Sequence, residues 1–162
     1  MKTKLAKSIM APLLFACALI TLVGAERSPM AGTEGGRLQG TWEMRLTLTD
    51  CAGHVIGSGQ SIVAFNAGGT MIESQAPRPQ AQKTPGEGVW SHTTDNNYAV
   101  RFKYFTFNTS NVFTGWTIIT AELTVDHTGD ANTGSATVEV YDPNGNLIAT
   151  ACAEVAGTRF SL

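Results

Sequence analysis

The sequence predicts an all-β domain, an antiparallel barrel or sandwich of about eight short strands. Three observations carry this reading. Apolar residues after position 36 recur with a period of two and never sustain a helical period. Clusters of Gly, Asn, Asp and Pro punctuate the chain at regular intervals. The segments between them are rich in β-branched and aromatic residues.

The chain opens on Lys2, Lys4 and Lys7, followed by an apolar run from Ile9 to Val23 that closes at Val23-Gly24-Ala25. A basic start, a short apolar stretch and a small-x-small end predict a signal peptide over 1–25. The run is short for a membrane span, so no stable membrane insertion is expected once it is cleaved. Residues 26–36 are small and polar and read as a flexible leader, and 37–162 form the barrel domain. The whole chain has 11 basic and 13 acidic side chains and a net charge of −2. Loss of three lysines with the signal peptide makes the remainder more acidic, which argues against nucleic acid as a partner. Cys51 and Cys152 remain, an even pair in an oxidising compartment, and are expected to form a disulfide.

Within the domain, Trp42, Met44, Leu46 and Leu48 alternate with Glu43, Arg45, Thr47 and Thr49, which is a half-buried strand. Asp50 to Gly53 turns the chain, and Gly57-Ser58-Gly59 suggests a bend or bulge. Strands follow from about Gln60 to Asn66 and from Thr70 to Gln75. Ala76 to Gly88, with three prolines and no apolar period, reads as a long loop, either a lid or a passive crossing. Strand patterns resume at 88–92, 97–107 and 114–125. The last segment is a hairpin turning at Asp142-Pro143-Asn144-Gly145. "TDCAGHVIGSG" and "YDPNGNLIATA" share Asp, Gly and an aliphatic pair at matching offsets, which predicts two similar hairpins.

Gly40-Thr41-Trp42 at the start of the first strand resembles the G-x-W signature of lipocalins and related calycin barrels. That resemblance implies a single antiparallel up-and-down eight-stranded barrel with Trp42 closing one end. It also implies a late basic residue packed across the indole, and Arg159 stands where that partner is expected. "GTWE", "GEGVW", "RFKYFTF" and "ATVEVYDPNGNLIATACAEVAGTRF" further resemble a family of small exported bacterial lipocalin-like proteins, over about Leu38 to Phe160. This implies a fold and a secreted or periplasmic location, and little chemistry. The later lipocalin motifs are absent, so no ligand residues are carried over.

Trp90, Phe102, Tyr104 and Trp116 belong to a dense aromatic cluster and are the candidate ligand-binding residues, lining a cavity for a small apolar molecule. His92, Glu73, Glu122, Glu139 and Tyr104 are ionisable groups on strands that can turn into a lumen. A barrel similar to allene oxide cyclases or polyketide cyclases would use Glu122 and His92 as its catalytic pair, relying on orientation and exclusion of water. A non-enzymatic envelope or adhesion module fits the same composition. No His-x-His or His-Glu-x-x-His spacing is present, so neither a metal nor a cofactor is expected.

Overall fold

The computed structural model describes residues 36–162 apart from Pro77. The expected signal peptide (1–25) and all but the last residue of the leader (26–36) lie outside the described residues. The domain is a closed barrel in which each strand pairs with its sequence neighbours and the last returns to the first. The strands are β1 Gly40–Thr49, β2 Val55–Phe65, β3 Thr70–Gln75, β4 Gly86–His92, β5 Asn97–Phe107, β6 Phe113–Val125, β7 Ala131–Tyr141 and β8 Leu147–Arg159. All eight neighbouring pairs are antiparallel.

Alternation decides the core. Trp42 and Met44 on β1, Tyr98, Val100 and Tyr104 on β5, and Ile119, Ala121, Leu123 and Val125 on β6 all point inward and are buried. Two segments depart from the expected pattern. β2 begins at Val55 rather than near Gln60, so Gly57 and Gly59 sit within it, opposite Leu48 and Leu46. The expected bulge is found beside Gly57, where the register against β1 shifts and Ile56 is the extra residue. The Pro-rich segment is shorter than expected, because β4 starts at Gly86 and a single 3₁₀ turn forms at Gln80–Gln82.

One end of the barrel is a sealed floor. The Trp42 indole is fully buried and donates from Nε1 to the carbonyl of Leu38 at 2.7 Å. Arg159 lies across its ring, 4.3 Å from the ring centre to Cζ, a favourable cation–π arrangement. The guanidinium also donates to the carbonyls of Gly129 (2.8 Å), Gln39 (2.9 Å) and Arg37. Trp90 belongs to the same end, donating from Nε1 to the carbonyls of Thr70 (3.0 Å) and Asn66 (3.1 Å). Phe65 and Tyr98 pack against its ring, with centroids 6.0 and 5.9 Å away.

The other end is the mouth, and its three hairpins share one design. Asp50, Asn108 and Asp142 each accept, through Oδ1, from the amides two and four residues on. The fourth position of each turn, Gly53, Asn111 or Gly145, is left-handed, where Gly and Asn carry the least strain. The echo between the segments at Asp50 and Asp142 is therefore real at the level of turn chemistry, and Asn108 adds a third instance. Cys51 and Cys152 form a disulfide at the mouth, joining the first hairpin to β8 with Cα atoms 4.9 Å apart.

Candidate binding site at the mouth of the barrel

Between floor and mouth the lumen is nearly filled. A cavity of about 50 Å³ remains, walled mainly by apolar side chains including Met44, Leu46, Val63 and Ile119, and reaching Glu73 and Phe102. Pockets for drug-sized ligands are about 300–1,000 Å³, so the resting lumen holds nothing of that size.

Glu73 is the one carboxylate among the described residues on the inner face. It comes from β3, where parity with Met71 turns it inward, and its side chain is 5% exposed. Its partner is Lys83, whose side chain is 3% exposed and whose Nζ lies 2.7 Å from Glu73 Oε2. The ammonium also donates to the Thr84 carbonyl at 3.2 Å and stands 4.3 Å from the centre of the Tyr104 ring. A buried charge is tolerable only when it is paired and bonded in this way.

Lys83 reaches this position through a slip in register. β4 pairs with β5 with Glu87 opposite Lys103, so continued pairing would place Thr84 opposite Thr106. Pro85 has no amide hydrogen to give the ladder. The chain shifts by one residue there, and Lys83 faces Thr106 instead. Thr84 secures the shift, its amide donating to the Phe105 carbonyl (3.1 Å) and its hydroxyl accepting from the Phe105 amide (3.0 Å). Residues 78–85 thus form a strap at the mouth, between β3 and β4. Beneath it, β4 carries glycine on its inner face, and a methyl on Gly86 would lie 2.7 Å from Phe102 Cδ2 and 3.0 Å from Glu73 Oε2.

The residues singled out from sequence fall in three places. Phe102 and Tyr104 line the lumen toward the mouth, beside the Glu73–Lys83 pair. Trp90 is floor packing. Trp116, Glu122 and His92 lie outside the lumen. Trp116 shares the outer parity of β6, stacked on Tyr141 (5.7 Å) with the Lys103 ammonium 4.3 Å from its ring centre. A bulge at Gly115 brings Phe113 onto the same outer face. Glu122 is exposed on that face, between Ala99 of β5 and Ser135 of β7 in register. His92 has the inward parity of Trp90 but sits beyond the floor, exposed, with Nε2 2.7 Å from the Asp95 carbonyl oxygen. The catalytic pair expected from sequence is therefore split between the outer wall and the floor end. Lys83 went unnoticed because a one-residue slip at a proline leaves no periodic trace. Glu73 was visible as a strand carboxylate, though nothing in the sequence marked its partner.

No protein-family model matches the chain, and no curated protein resembles it in sequence. The closed eight-stranded antiparallel barrel is compatible with a lipocalin-like fold on geometry alone. No cluster of three metal-ligating side chains occurs among the described residues. No helix among them is long and apolar enough to cross a membrane.

Proposed function

We propose that the protein is an exported lipocalin-like barrel that takes a small apolar molecule into its lumen, with residues 78–85 as the lid. The observation that carries this reading is the asymmetry of the two ends. The floor is closed by a buried Trp clasped by Arg159 across the β1–β8 seam, whereas the strap at the mouth is held by the internal Glu73–Lys83 ion pair and by two hydrogen bonds between Thr84 and Phe105. Because the resting cavity is about 50 Å³, uptake requires the strap to lift and Phe102 and the lumen methionines to repack. The Cys51–Cys152 disulfide supports export to an oxidising compartment.

Fluorescence titration of residues 26–162 with an uncharged apolar dye such as N-phenyl-1-naphthylamine tests the reading. Saturable uptake at one dye per chain is expected, lost in Ala121→Trp, which fills the lumen. Glu122→Gln and His92→Ala are expected to bind as the parent protein does. Equal uptake by a folded Ala121→Trp variant, or no saturable uptake by the parent, would end the proposal.

A further inference from the structure

We infer that the lumen is built to receive an organic ammonium, an apolar chain ending in a protonated amine, and that Lys83 is its tethered stand-in. This rests on the lumen-binding reading above and names the ligand class for it. The two charges at the mouth belong to parts of the molecule that separate when the strap lifts. Glu73 is on β3, inside the barrel wall, and stays; Lys83 is on the strap and leaves. An opened barrel thus presents a carboxylate, buried on its strand, without its lysine partner; the other inner-face cation among the described residues, Arg159, is committed to the floor over Trp42. A ligand that keeps the strap open has to supply that charge.

The receiving geometry already exists around the Lys83 ammonium. Glu73 Oε2 accepts from it at 2.7 Å, and the Tyr104 ring lies 4.3 Å away as a second attractor for a cation. Beyond Glu73 the cavity walls are aliphatic and aromatic, with Met44, Leu46, Val63, Phe102 and Ile119 placed to surround an alkyl chain. The Lys83 side chain is itself a butylammonium held in this site. A carboxylate ligand would instead meet Glu73 as a like charge.

Chemical rescue separates this inference from a purely structural ion pair. Lys83→Ala removes Cγ, Cδ, Cε and Nζ, the atoms of n-propylamine. Protonated n-propylamine is expected to raise the Tm of Lys83→Ala saturably, and to leave the parent protein and the Glu73→Gln/Lys83→Ala variant unchanged. 1-Propanol is expected to give no saturable shift. In the unmodified protein, dodecylamine below its micelle concentration is expected to displace the neutral dye at concentrations about tenfold lower than dodecanoate. This second arm stands even if Lys83→Ala fails to fold. Equal action of propylamine and propanol, or of dodecylamine and dodecanoate, overturns the ammonium inference while leaving lumen binding intact. Failure of the dye itself to bind removes the underlying reading instead.

Discussion

The guanidinium of Arg159 lies over the indole of Trp42, and the two residues face each other in register across the β1–β8 seam. One side chain thereby covers the buried ring and gathers three carbonyls from Arg37, Gln39 and Gly129. Replacing it with Ala uncovers the ring and strips those carbonyls of their donor. Arg159→Ala is expected to cost about 2–4 kcal/mol, and Trp42→Ala about 3–5 kcal/mol. Because the two share one contact, the double variant should lose less than the sum. Urea unfolding measures all three, and an unchanged midpoint for Arg159→Ala would refute the floor role.

The disulfide closes a chain segment with a sequence separation of 101. In the chain-entropy account a loop of that length is worth about 4–5 kcal/mol through the unfolded state. Cys51→Ser/Cys152→Ser, or reduction, should lower the urea midpoint accordingly without altering far-ultraviolet circular dichroism. A loss below about 1 kcal/mol would mean that the unfolded chain is already compact there.

Acid should act at the floor through Asp126. The Thr128 hydroxyl, and then the amides of Ala131, Gly129 and Asp130, hold its carboxyl down to about 2. A folded-state value below the unfolded one means the contribution is present above the ordinary value of 3.8 and is lost as pH falls through about 2. Unfolding at fixed urea between those limits should therefore be steeper for the parent protein than for Asp126→Asn. Identical slopes would exclude Asp126 as a source of the acid limb.

Gly86 tests the packing beneath the strap. A methyl there meets Phe102 and the Glu73 carboxylate, so Gly86→Ala should cost about 1–3 kcal/mol by overpacking. Gly57→Ala has open space around the added methyl and no left-handed backbone to strain, and should be nearly neutral. Comparable losses at both positions would show that backbone freedom, rather than the lumen, sets the requirement for glycine.

The strands were legible because burial on one face imposes a period of two, and β3 and β5 are found with the bounds read from sequence. The parity of β6 was legible too, since Thr117, Ile119, Ala121, Leu123 and Val125 form the buried set. Trp116 belongs to the other set; its size and apolar character drew it into the ligand group, and a bulge at Gly115 collects it with outward aromatics instead. Glu73 and Lys83 meet through a closed ring of strands and a proline-induced slip, neither of which sequence spacing encodes. His92 shows the converse limit, because alternation gives the face of a residue and not its height along the barrel axis.

The β1–β8 seam runs through eight register pairs from Trp42–Arg159 to Thr49–Cys152, with a covalent link at one end and a guanidinium clasp at the other. The β3–β4 seam has four pairs, and the strap leaves from one of its strands and returns to the other. A hoop riveted where its ends meet must flex at its thinnest joint. Amide exchange should then be faster at Met71 and Gly88, which bond across β3–β4, than at Arg45 and Ala156, which bond across β1–β8. The riveting of the chain ends would make β3–β4 the gate through which the lumen communicates with solvent.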